Sequence, residues 1–183
     1  MPAIRLLAIS GSLRKASTNT ALLGAASLLA PEEMTVELYD GLAALPHFNP
    51  DLDADPLPSA VIDLRARVGA ADGLLVSSPE YARGVPGSLK NALDWLVSSD
   101  VFPGKPVAIL HASERGVAAQ TALRLILETM SARIVDDASI TIPLLGTQTD
   151  ARTVAQDAAM AEKLRDALKT FASAITATTL SGG

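Results

Sequence analysis

Apolar residues along this chain fall into short continuous runs, each followed by a stretch in which they recur every three or four positions. Ala3–Ile9 is the first run, and the residues Leu22, Ala25 and Leu29 continue at helical spacing to about Ala30-Pro31. Thr35–Tyr39 alternates as a second strand, and Val61, Leu64 and Val68 mark a helix closed by Ala71-Asp72-Gly73. Leu74–Ser77 reads as a third strand buried on both faces. Pro86, with its missing N–H and fixed φ, suits the start of a helix whose apolar face is Leu89, Ala92, Leu93, Leu96 and Val97. Pro106–Leu110 is the fourth strand, followed by a helix carrying Leu123, Ile126, Leu127 and Met130. Ser139–Ile142 is the fifth, and a last helix runs from about Thr153 with Met160, Leu164, Leu168, Phe171 and Ile175 on one face.

Strands alternating with helices predict an α/β fold: a doubly wound, five-stranded parallel sheet with right-handed crossovers and helices on both faces. The common order at this size, 2-1-3-4-5, puts a crevice between the first and third strands. The loops Ser10–Asn19 and Ser78–Val85 then face each other across one cleft. A single domain over residues 1–183 is expected, with residues 179–183 as a frayed tail. The connection Asp40–Pro58 carries Leu42, Leu45, Phe48, Leu52 and Leu57, more apolar surface than a solvent loop needs. It should be covered, and a second subunit in a homodimer or homotetramer is one way to cover it.

Composition narrows the partners. With 49% hydrophobic and 19% charged residues the chain is globular in character, and a net charge of −5 with no basic face argues against nucleic acid. The absence of cysteine removes disulfides, zinc–thiolate sites and thiol nucleophiles, and fits a reducing compartment. No run has the length of a membrane span or the layout of a signal peptide, so the reading is a soluble cytoplasmic protein with no membrane partner.

The candidate chemistry lies in the loops. After the first strand, Ser10-Gly-Ser-Leu-Arg-Lys-Ala-Ser-Thr-Asn19 opens the first helix. Free N–H groups and the helix dipole make such a position an anion site. Ser10, Ser12, Ser17 and Thr18 add hydroxyls, Asn19 an amide, and Arg14 a guanidinium able to hold two phosphate oxygens. Lys15 is not preceded by glycine, which excludes a P-loop, and Gly11 alone does not make a three-glycine dinucleotide fingerprint. A hydroxyl-rich loop with one glycine suits a terminal phosphate monoester, as flavodoxin-like folds hold FMN. Ser17 or Thr18 as a plain helix cap, with Arg14 and Lys15 in solvent, is the competing reading.

The second loop is more specific. Ser78-Pro-Glu-Tyr-Ala-Arg-Gly-Val-Pro-Gly-Ser-Leu-Lys-Asn-Ala-Leu-Asp-Trp95 resembles the signature of the NADPH-dependent FMN reductase family. Gly11, Ser12, Leu13, Arg14, Ser17 and Asn19 match the family's first loop, and Leu45–Leu52 is similar to its middle connection. The resemblance implies a flavodoxin-like fold and FMN as cofactor, with NADPH or NADH as co-substrate. A flavin, quinone, azo compound or chromate would be the small-molecule electron acceptor. It implies the FMN phosphate at Ser10–Asn19 and the ring along Pro79, Glu80, Tyr81 and the backbone of Ala82 and Arg83. Ser113 and Gly116 would lie at the ring edge. The chain departs from the family pattern at Ala82, where asparagine is common, so contact there falls to backbone donors. Arg83 is open to the nicotinamide nucleotide's phosphates, a partner subunit or solvent.

Hydride transfer to a flavin requires orientation rather than a side-chain acid or base, so no catalytic residue is named. His111 reads as a hydrogen-bonded structural residue, His47 and Phe48 as interface filler, and Trp95 and Met130 as packing. Two other functions compete: a flavodoxin-like electron carrier without pyridine-nucleotide activity, and an interaction module without flavin. Carriers sandwich the flavin between aromatic rings, and Tyr81 is the one aromatic residue in the two loops.

Overall fold

The computed structural model describes residues 3–144 and 149–181. Its strands are β1 (Ile4–Ser10), β2 (Met34–Leu38), β3 (Gly73–Ser77), β4 (Pro106–His111), β5 (Arg133–Ile134) and β6 (Ile140–Thr141). All pairings are parallel, in the order β2-β1-β3-β4-β5, with β6 also paired to β4. The helices are α1 (Thr18–Leu29), α2 (Ser59–Ala70), α3 (Gly87–Asp94), α4 (Val117–Thr129), α5 (Ala151–Gln156) and α6 (Ala158–Ser181).

The central strands are buried on both faces, so alternate residues feed two separate cores. Leu6, Ala8, Leu75, Ala108 and Leu110 face one way and pack with Leu22, Leu23, Leu164, Leu168 and Phe171 from α1 and α6. Leu7, Ile9, Leu74, Val76, Val107 and Ile109 face the other way and meet Val61, Leu64, Leu89, Leu93, Leu123 and Leu127 from α2, α3 and α4.

Five details differ from the sequence reading. The edge strand expected at Ser139–Ile142 is two short pieces, β5 and β6, separated by a 3₁₀ turn at Asp136–Ala138. Ser139 closes the gap: its hydroxyl accepts from the Ile109 N–H at 3.0 Å and donates to the Val135 carbonyl at 2.9 Å. The last helix is broken at Asp157, whose carboxylate accepts from the Met160 N–H at 2.9 Å and caps α6. That helix continues to Ser181, so residues 179–181 are helical rather than a tail, while Gly182 and Gly183 lie outside the described residues. Val97, assigned to the buried face after Pro86, is exposed, because α3 ends at Asp94 and Trp95 and Leu96 turn inward from the next turn.

The fifth concerns the connection between β2 and α2, most of which is covered by its own chain. Leu42 and Leu45 are buried beside Tyr39, and Phe48 and Leu57 pack on the same core. Asn91 in α3 holds it on both sides, accepting from the Phe48 N–H at 2.7 Å and donating to the Pro46 carbonyl at 2.9 Å. Trp95 donates its indole N–H to the same carbonyl at 2.8 Å and meets the Phe48 ring edge-on at 5.0 Å. Only the Leu52 end of this apolar set is left exposed.

Candidate active site

Three loops leave the sheet at its C-terminal edge: 11–17 after β1, 78–86 after β3 and 112–116 after β4. Parallel strands bring them to one end, and the order change around β1 and β3 opens the crevice there.

The first loop is tied down from below. The Gly11 N–H continues the sheet by donating to the Ser77 carbonyl at 2.8 Å. A side chain at Gly11 would place its Cβ 2.8 Å from Ser78 Oγ and 3.1 Å from Leu89 Cδ2, so this close approach requires glycine. The Ser10 and Thr20 hydroxyls share a hydrogen bond at 2.7 Å, and Ser10 Oγ also accepts from the Ser12 N–H at 3.3 Å. Ser12 Oγ accepts from the Arg14 N–H, and Ser17 is the N-cap of α1, accepting from the Thr20 N–H at 3.3 Å. Asn19 is buried and accepts from the Ser77 hydroxyl at 2.9 Å, pinning α1 to the end of β3. Leu13, Arg14 and Lys15 are exposed at the tip.

The other two loops are fastened to each other. Glu80 Oε2 accepts from the Ala119 N–H at 2.9 Å in the first turn of α4. Beside it Gly116 has φ +91, where an added Cβ would lie 3.2 Å from Glu80 Cβ. Tyr81 and Gly84 exchange backbone hydrogen bonds at 3.1 and 3.0 Å, forming a tight hairpin with Ala82 at φ 50 and Arg83 at φ 60. Both central residues are thus left-handed, the conformation that asparagine and glycine adopt most readily.

Between the loops lies a cleft of about 330 Å³, lined by Thr18, Asn19, Ser78, Pro79, Glu80, His111, Ala112, Ser113, Arg115, Gly116 and Gln120. Of the residues singled out from the sequence, Asn19, Pro79, Glu80, Ser113 and Gly116 are brought together on its wall. Ser10, Gly11, Ser12, Leu13, Arg14 and Ser17 stand in the adjoining loop, and Tyr81, Ala82 and Arg83 form the exposed hairpin at the mouth. The sequence reading missed Arg115 and Gln120, and it assigned His111 a structural role. Strand alternation was the available signal for His111: Val107 and Ile109 share its face, so its ring points toward α4. Burial, and then the nearby Arg124 guanidinium, push the His111 imidazole below its ordinary pKa, which leaves it neutral at pH 7. Gln120 donates to the Ser113 carbonyl at 3.2 Å and stiffens the third loop.

This edge combines a helix N-terminus, a hydroxyl-lined turn and a cleft with one aromatic ring at its mouth. Comparisons with known proteins agree with that geometry. Residues 4–145 match the family described as NADPH-dependent FMN reductase. An NAD(P)H-dependent FMN reductase of Pseudomonas aeruginosa is 46% identical over 112 residues, which is 60% of this chain and 60% of that protein. The chain therefore spans less than two thirds of that relative's length. A quinone reductase of Escherichia coli strain K12 is 33% identical over 139 residues, covering 73% of this chain and 74% of the relative. Among solved structures, the flavoenzyme NAD(P)H:(acceptor) oxidoreductase FerB from Paracoccus denitrificans superposes with a TM-score of 0.83 at 29% identity, covering 95% of this chain and 98% of its own. Since the family match runs through all three loops of the cleft and over most of the sequence, the chain belongs to the NADPH-dependent FMN reductase family.

Proposed function

We propose that this protein is an NAD(P)H-dependent FMN oxidoreductase that passes an electron pair from NADPH or NADH through FMN to a small acceptor, a quinone or a flavin. The observation that carries the reading is the convergence of loops 11–17, 78–86 and 112–116 on one cleft, with the N-terminus of α1 at its side.

The residues present fit FMN. The start of α1 offers backbone N–H groups and the positive end of its dipole to a phosphate, and exposed Arg14 adds a charge beside it. Ser10, Gly11, Ser12, Leu13, Ser17 and Asn19 shape that turn. Pro79, Glu80, Tyr81 and the backbone of Ala82 would line the ring, with Ser113 and Gly116 at its edge. When bound, the flavin supplies the redox chemistry by accepting and releasing the electron pair. The chain's own task is positioning. Glu80 holds two of the ring-facing loops in register, Gly11 lets the first loop approach β3, and neutral His111 offers the cleft a hydrogen-bonding group without a charge.

Tyr81, about half exposed, is the one aromatic side chain in the three loops, which supports an open flavin face with room for a nicotinamide. The test is the visible spectrum of the purified protein, followed by anaerobic addition of NADPH. A bound flavin that bleaches supports the reductase. One that stays oxidised would leave an electron carrier, and a colourless protein that cannot be reconstituted with FMN would leave neither.

The same reading includes self-association as a homodimer or homotetramer in the cytoplasm. Leu52, Ile62 and Val97 support a paired surface: they are exposed around the Arg65 side chain, which bonds Asp53, Ser98 and the Trp95 carbonyl. A monomer at micromolar concentration in sedimentation would refute it. Among the described residues no helix is long and apolar enough to cross a membrane.

A further inference from the structure

Among the described residues that line the cleft, His111 is the one whose side chain can change charge near neutral pH. Arg115 stays cationic, and the Glu80 carboxylate is committed to the Ala119 N–H. The chain's other histidine, His47, is exposed in the connection between β2 and α2 and does not line the cleft.

The main chain of His111 is fixed, and its ring is not. It is the last residue of β4 and pairs with Thr141 of β6, and its carbonyl accepts from the Ile142 N–H at 2.9 Å. The half-buried ring makes no hydrogen bond among the described residues. Charge reaches it from α4, where Arg124 acts on the ring while bonded to Asp136 and lying 3.5 Å from the Glu128 carboxylate. On the loop side the charged groups are Glu80 and Arg115 in the cleft wall and exposed Glu114, and β6 brings only the uncharged Thr141. Two carboxylates already balance Arg124, so no net positive charge faces the imidazole from α4. An anion arriving in the cleft therefore favours the protonated ring.

We propose that His111 stores the proton of the reaction, taking it from water as the flavin is reduced and delivering it to the acceptor. The inference rests on the reductase reading given above. A hydride from NADPH or NADH brings two electrons and one negative charge into the cleft, and leaves the oxidised nicotinamide behind. His111 binds one solvent proton as that charge appears. A quinone then receives the hydride on one oxygen and the proton from His111 on the other, and leaves as the hydroquinone. The imidazole and the flavin are both neutral again. A ring locked by two hydrogen bonds could not make this exchange, and the His111 ring has none.

The test labels both histidines with nitrogen-15 in the FMN-loaded protein and follows their ring signals against pH by NMR, with His47→Gln to assign them. The His111 signal should report a neutral ring at pH 7 while the flavin is oxidised. Reduction with dithionite, which bypasses the nicotinamide nucleotide, should convert it to the cation and raise its titration by about one pH unit or more. In His111→Gln, which keeps a polar side chain but binds no proton, kcat with 1,4-benzoquinone should fall about tenfold or more at pH 7. Ferricyanide takes electrons without protons, so its reduction should lose far less. A His111 signal that reduction does not move, or equal losses with the two acceptors, would overturn the assignment. If NADPH and NADH leave the flavin oxidised, the reductase reading fails instead, and dithionite still tests His111 separately. A protein that binds no FMN would overturn both.

Discussion

The Glu80 carboxylate and the Ala119 N–H meet at 2.9 Å, and this contact spans the two loops on the ring side of the cleft. Glu80 satisfies one of the N–H groups that the start of α4 leaves free, and its charge opposes the positive end of that helix. Replacing Glu80 with alanine should lower stability by about 1–2 kcal/mol and weaken FMN binding, while glutamine should do less of both. Urea denaturation of the apoprotein and FMN fluorescence titration read the two effects. Undiminished FMN affinity in the alanine variant would show that the loops keep their register without this link.

Arg14 is exposed beside the N-terminus of α1, with no ion pair among the described residues. Its replacement by alanine should loosen FMN by about tenfold while leaving the melting temperature nearly unchanged. An equal affinity for FMN would move the phosphate anchor elsewhere.

Ala82 stands at φ 50, where a Cβ is unfavourable; glycine has none, and asparagine offsets the cost by hydrogen-bonding its side chain to the local backbone. Ala82→Gly and Ala82→Asn should each raise stability by about 0.5–1 kcal/mol. Thermal denaturation checks this, and a lower melting temperature in both would show that the turn carries no strain.

Ser77 is fully buried and donates to Asn19 Oδ1 at 2.9 Å. Asn19→Ala leaves that hydroxyl without its partner and should destabilise the apoprotein by about 1–3 kcal/mol. Adding Ser77→Ala should recover part of the loss, because removing both polar groups is milder than removing one. Strictly additive losses in the double-mutant cycle would sink the coupling.

Burial pushes the Tyr39 phenol up to about 12, with Asp63 adding to the shift. Its hydroxyl has no hydrogen-bond partner among the described residues, and Gly41 is packed so closely that an added Cβ would lie 2.5 Å from it. In the unfolded chain the phenol ionises near its ordinary pKa of about 10. Between pH 10 and 12 the unfolded state has then released a proton that the folded state retains, so stability falls as pH rises through that window. Tyr39→Phe should remove an alkaline loss on the order of 2 kcal/mol and leave stability at pH 7 equal or higher. Parallel alkaline unfolding curves for wild type and variant would contradict it.

The layer architecture was legible in the sequence because parallel strands buried on both faces give short continuous apolar runs while amphipathic helices repeat every 3.6 residues, and both patterns survive without knowledge of their partners. The runs at Ala3–Ile9, Leu74–Ser77 and Pro106–Leu110 correspond to β1, β3 and β4 because each is covered on both faces. The edge was less legible. Arg133–Ile134 and Ile140–Thr141 are too short to show a period, and the Ser139 hydroxyl that fills the gap between them does so through partners 30 and 4 residues away. Likewise Asp157 breaks the last helix by capping the next one, a choice between two local hydrogen bonds that spacing does not rank.

The site divides in the same way. The chain's local pattern determined that a hydroxyl-rich turn opens α1, and its motifs carried the family and the second loop. Tertiary structure alone decided that Asn19 bonds Ser77, that Glu80 reaches Ala119, and that His111 and Arg115 join the cleft wall. Those contacts join residues 39 or more positions apart or depend on which way a loop side chain turns. Helical and strand periods encode the burial of a face, which is a local property. Contacts between loops arise only after the sheet has brought its C-terminal edges together, so one dimension of sequence does not contain them.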